Sequence, residues 1–185
     1  MNAEKLIANS LGSIISILII GAAAQVSIPL PESISVAPIT GQSLAILMVA
    51  CILKWQWGGL SVLLYCLIGG LGAPIFADFK GGFDVLTGPT MGYFIGFLLA
   101  TLAIGYLATI QKSRFPFYLL QMLLGTLIIL LVGWLGLLQF LDTKQAFLKG
   151  VLPFLPGALA KIFLGAILLS VYRRFKSIMN AKSIQ

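Results

Sequence analysis

The stretch Gly69–Phe97, GGLGAPIFADFKGGFDVLTGPTMGYFIGF, decides how the rest of this chain is read. Glycine admits positive φ and close backbone approach, and proline removes a donor, so the segment makes neither a good helix nor a good strand. Asp78, Lys80 and Asp84 interrupt its apolar residues. In a membrane chain, irregular backbone of this kind survives where it is buried in protein, lines a wet cavity or lies outside the hydrocarbon.

The flanking sequence is of the membrane class. Of 185 residues, 59% are hydrophobic and only 9% charged, and the length fits one membrane-embedded domain over 1–185. The net charge of +7 would suggest nucleic acid in a soluble protein. Here the basic residues flank apolar runs, where they mark cytoplasmic ends, so no nucleic-acid role is expected. Cys51 and Cys66 lie inside apolar runs and read as small buried residues, with no disulfide or metal framework. Lys5 and the first apolar run have the look of a signal peptide, but Pro29 and Pro31 stand where a cleavage site would be. A retained span is the expectation.

Apolar runs fall near 6–27, 43–53, 58–71, 89–110, 116–141 and 151–172. They predict an all-α integral membrane protein with six transmembrane helices, its irregular outer loops forming a substrate pocket. The second and third runs are short for a hydrocarbon core that asks for about 20 helical residues. Alternatively, 43–71 is one helical hairpin hinged at Lys54–Gly59, with Trp55 and Trp57 marking its turn. With the N-terminus inside, Lys5, Lys54, Lys112, Arg114, Arg173, Arg174, Lys176 and Lys182 face the cytoplasm, while Lys80, Lys144 and Lys149 lie in outer loops. That bias predicts both termini inside. Gln25–Gln42, Gly72–Leu86 and Asp142–Gly150 then face outward.

Several segments carry site expectations. Ala8, Gly12 and Ser16, four apart on the first span, form a small-residue ridge that suits either an internal helix contact or a docking partner. The loop Gln25–Gln42 has three prolines but stays apolar. Exposing it costs about 25 cal/mol per Å², so it folds back as a lid or lies on the membrane surface. The fourth and fifth runs look structural. Tyr93 would ordinarily be an interfacial anchor; its place three residues after Thr90 of Gly88-Pro89-Thr90 raises the reading of a ligand contact beside it.

Lys161 is the most informative single residue. It lies well inside the sixth run, where a lysine at a helix centre costs about 2.5 to 3.5 kcal/mol. If Pro156 opens the helix, Lys161 sits about a turn and a half below the outer end. Ammonium and helix N-terminus then make an anion site suited to a carboxylate; snorkelling to the surface is the alternative.

Catalysis has little support. There is no histidine, the cysteines lack a base, and the five acids are dispersed, so no catalytic or metal residues are assigned. No GxxxxGK[ST] loop occurs, so any ATP coupling must come from other proteins.

IPLP at 28–31, PITGQ at 38–42, YCLIGGLGAPIFA at 65–77, Gly81-Gly82, GPTMGYFIGF at 88–97 and PFLPG at 153–157 followed by Lys161 together resemble the BioY family, the biotin-specific S components of energy-coupling-factor transporters. The resemblance covers nearly the whole chain. It implies a biotin-binding subunit of a vitamin uptake transporter in a prokaryotic plasma membrane, in contact with lipid, with biotin as ligand and no cofactor. Its implied partners are a transmembrane coupling protein and two ATP-binding cassette ATPases, docking on the Ala8, Gly12, Ser16 face. The expected substrate contacts are Gln42, Gly82, Pro89, Thr90, Tyr93 and Lys161, together with Asp78 and Asp84, which answer a departure from the family pattern.

The family pattern Gly-Asp-x-x-Lys reads here Gly157-Ala158-Leu159-Ala160-Lys161. A ureido group donates two N–H bonds and needs an acceptor, so Asp84 or Asp78 is expected to replace the missing acid. A transporter for a different small carboxylate is the second reading. Gly41 and Met91 depart from the pattern more mildly.

Overall fold

The computed structural model describes residues 3–110 and 114–182; Lys112, among the basic residues assigned to the cytoplasmic side, lies outside them. Among the described residues, five helices are long and apolar enough to cross a membrane. The order is α1 Ala3–Gln25, β1 Ser27–Ile28, β2 Ile39–Thr40, α2 Gln42–Gly70, α3 Phe83–Thr87, α4 Met91–Ile110, α5 Phe115–Leu137, α6 Thr143–Gly150 and α7 Leu155–Lys182. β1 and β2 pair antiparallel, with Ser27 opposite Thr40.

α2 is not one rod. Lys54 breaks it with φ 64° and ψ −177°, a region essentially reserved for glycine and costing about 1–3 kcal/mol. The two arms fold against each other: Gln42 Nε2 lies 3.0 Å from Tyr65 Oη across the hairpin. Near the hinge, a Cβ on Gly58 would touch Ala50 Cα at 3.4 Å. The hairpin alternative is therefore the one adopted. The break removes the intrahelical donors for the first arm's last carbonyls. Arg173 of α7 makes up part of the loss, its Nη2 donating to the Cys51 carbonyl at 3.2 Å.

α4 packs on α2 and α5, and α7 packs on α5. Gly92 and Gly136 let α4 and α5 approach backbone to backbone, since a Cβ on Gly92 would lie 2.9 Å from Gly136 Cα. On α7, Ala158, Ile162, Ala166 and Leu169 are buried and form one inward face at helical spacing. Cys51 and Cys66 are both free thiols.

The small-residue ridge of α1 is spent inside the molecule. Ser16 is 6% exposed, its hydroxyl donates to the Gly12 carbonyl at 2.8 Å, and a Cβ on Gly12 would meet the Leu53 side chain at 3.2 Å. Ala8 alone of the three is exposed. Gly12 thus packs against Leu53 of α2, because a helix that must bury one side in a bundle buries the side that permits closest approach. The opposite side, with Ile7, Leu11, Ile14, Leu18 and Ile19, is exposed.

Candidate functional site

The loops before α2 and before α4 close one end of the bundle. Gln25, the last residue of α1, holds them together. Its Nε2 donates to the Phe76 carbonyl at 3.0 Å, and its Oε1 accepts from the Phe79 N–H at 3.0 Å. The second loop is as irregular as its glycines foretell. Asp78 and Phe79 both have positive φ, at 58° and 55°, and Gly69 has no side chain where the buried Phe76 ring packs. The first loop is tied to the segment before α7: the Val36 N–H donates to the Lys149 carbonyl at 3.3 Å, and Lys149 Nζ donates to the Glu32 carbonyl at 3.0 Å.

Beneath these loops lies a cavity of about 300 Å³, at the lower end of the small-molecule range. The first loop contributes Val36 and Pro38 to its lining, while Val26, Ile28 and Ile34 remain exposed. Phe76, Phe94 and Phe97 form an aromatic wall; Phe94 meets Phe76 at 4.8 Å and Phe97 at 5.7 Å between centroids. α5 adds Met122, Thr126, Ile129 and Leu130. The fourth and fifth runs, expected to be structural, are therefore walls of the cavity.

Lys161 lies in the second turn of α7, half-buried, and lines the cavity. Its ammonium donates to Ser43 Oγ at 3.1 Å, so it does not snorkel to the surface. Ser43 is the second residue of α2, whose start has no side-chain cap. The first turn of α2 and an ammonium thus meet, and each favours an anion. Ser43 was not among the expected contacts. Its signal was its place at the start of an apolar run directly after Gln42.

Family membership accords with this geometry. The BioY family model matches residues 3–177. A probable biotin transporter BioY of Pyrococcus horikoshii is 37% identical over 75% of this chain and 79% of its own. The biotin transporter BioY of Thermotoga maritima is 36% identical over 85% and 89%. The chain belongs to the BioY family. Its fold matches the crystal structure of the S-component for biotin from an ECF-type ABC transporter, with a TM-score of 0.83 at 23% identity, over 94% of this chain and 95% of that one.

The expected contacts divide into three groups in this BioY chain. Gln42, Asp78, Asp84, Pro89, Thr90, Tyr93 and Lys161 all line the cavity. Two of them spend their polar atoms on the protein: the Tyr93 hydroxyl donates to the Gly150 carbonyl, and Thr90 Oγ1 donates to the Val85 carbonyl at 3.0 Å. These two shape the wall and do not offer a free hydroxyl. Gly82 is absent from the lining; its φ of 108° and its N–H, which donates to the Gly69 carbonyl at 2.7 Å, form the turn before α3. Asp78 and Asp84 stand exposed at the rim, and Asp78 accepts from Ser27 Oγ at 3.0 Å. Ala158, where the family pattern carries an acid, lines the cavity one turn before Lys161. Gly41 faces α1, where a Cβ would lie 2.8 Å from the Ala23 carbonyl, so a larger residue there requires α1 to move.

Proposed function

We propose that this protein is a biotin-binding membrane subunit of a vitamin uptake transporter of the energy-coupling-factor type. The observation that carries the reading is a half-buried lysine beside the start of α2, facing an apolar cavity, in a chain of the BioY family. Lys161 and Ser43 take the substrate carboxylate. The aromatic wall takes the apolar ring and chain. Gln42 within the cavity and Asp84 or Asp78 at its rim accept from the ureido N–H groups.

The two arms of α2 cross as a hairpin, giving six spans with both termini cytoplasmic and the cavity at the outer face. The first arm is ~18 Å long at 1.5 Å per residue, and the loop layer above it makes up the rest of a ~30 Å hydrocarbon core. Coupling to ATP requires a transmembrane partner and two ATPases. The exposed apolar side of α1 is turned to lipid or to that partner.

Thermal unfolding of the purified protein with biotin, desthiobiotin, lipoate and thiamine tests the reading, because a ligand that binds the folded state raises its apparent stability. Biotin is expected to raise the transition and thiamine to leave it unchanged. Ala158 favours one alternative, a different small carboxylate vitamin; a shift with lipoate and none with biotin would establish that instead.

A further inference from the structure

Tyr65 does not line the cavity, yet it decides what Gln42 presents there. Its side chain is fully buried on the second arm of α2, edge-on to Phe76 at 5.5 Å. The hydroxyl lies 2.9 Å from the Ile75 carbonyl. A carbonyl oxygen can only accept, so the one proton of Tyr65 is spent on it. Toward every other neighbour the phenol oxygen is then an acceptor. Gln42 stands 3.0 Å from that oxygen. The end of its amide that meets it must be the NH2, since the flipped amide would set lone pairs against lone pairs.

The Gln42 carbonyl oxygen is left over. It takes no hydrogen bond from any described residue, while Gln42 is 6% exposed and lines the cavity. An acceptor so placed strongly favours a ligand that donates to it and disfavours one that cannot.

We infer that Tyr65 is a positioning residue, which locks the Gln42 amide so that the cavity offers a carbonyl acceptor to an N–H donor of a cyclic-urea substrate. The inference rests on the reading of this cavity as the biotin site. It places inside the cavity an acceptor of the kind that Ala158 does not supply, on a helix start and not on a loop.

The test is the ratio of affinities for biotin and for biotin methylated on both ureido nitrogens, measured by titration calorimetry on the purified full-length protein. Tyr65→Phe frees the amide to flip and is expected to lower that ratio about fivefold to tenfold, the worth of one buried hydrogen bond. Adding Gln42→Glu to Tyr65→Phe should restore the ratio, because both carboxylate oxygens accept and no orientation is needed. A purely structural Tyr65 would weaken both ligands alike, leave the ratio unchanged and gain nothing from Gln42→Glu; that result overturns the inference. A wild-type protein that binds biotin with no preference over the methylated form overturns it too. Failure of the wild type to bind biotin at all brings down the site reading itself, which separates the two failures.

Discussion

The cavity has two kinds of polar wall. Inside, Gln42 and Ser43 stand on the first turn of α2 and Lys161 on the second turn of α7, half-buried or buried, with two of them joined directly. At the rim, Asp78 and Lys80 stand exposed on the loop after α2, and Asp84 stands exposed on the five-residue helix α3. Helix starts hold a side chain at a set depth and add a fixed partial charge. Rim groups keep their water, so their charges are screened and their contacts are worth less. The interior set should therefore carry affinity and the rim set should tune it.

Lys161→Ala gives the largest expected effect. Losing a charge-assisted hydrogen bond of about 1.5–3 kcal/mol should weaken biotin binding roughly tenfold to a hundredfold. The methyl ester of biotin, lacking the carboxylate, should lose far less in the same variant. Equal losses for acid and ester would remove Lys161 from the carboxylate.

Gly69→Val attacks the rim through its scaffold. The new side chain meets the Phe76 ring, and overpacking of this kind costs about 1–3 kcal/mol. A lowered thermal transition is expected, with biotin affinity falling because Phe76 belongs to both core and cavity.

Asp84→Ala and Asp78→Ala come next, each expected to change biotin affinity by about fivefold or less, as for exposed charges worth ~0–1 kcal/mol. Should either cost as much as Lys161→Ala, the ranking of interior over rim fails and the rim acid is the main ureido acceptor. Unchanged affinity in both would confine that role to the interior.

The smallest effect lies at the opposite end of the bundle. Lys54→Gly relieves a backbone conformation that costs about 1–3 kcal/mol, partly offset by the greater freedom of glycine in the unfolded chain. A transition raised slightly, with biotin affinity unchanged, would show the hinge to be independent of the cavity.

Individual residues show what was legible beforehand. Lys161 was, because a lysine inside an apolar run is costly wherever it ends up, and the irregularity of 69–90 was, because glycine and proline constrain backbone locally. The Lys54 hinge could be located only as one of two options. Lysine does not favour its φ, and only the packing of both arms holds it there. Phe94, Phe97 and Met122 escaped because α4 and α5 are apolar on every side. Residue type cannot distinguish the side facing lipid from the side facing an apolar cavity.

The sequence by itself determined the membrane class, the irregular loop layer, the buried cation and the family, since each depends on residue chemistry or local order. Tertiary structure alone decided that Gly12 packs on Leu53 of α2 and that Tyr93 spends its hydroxyl on Gly150. It also brought Ser43 to Lys161 and set the direction of the Gln42 amide. These outcomes depend on partners 23 to 118 residues apart along the chain, and hydrogen-bond direction is set by the last group in the relay, here the Ile75 carbonyl, which can only accept.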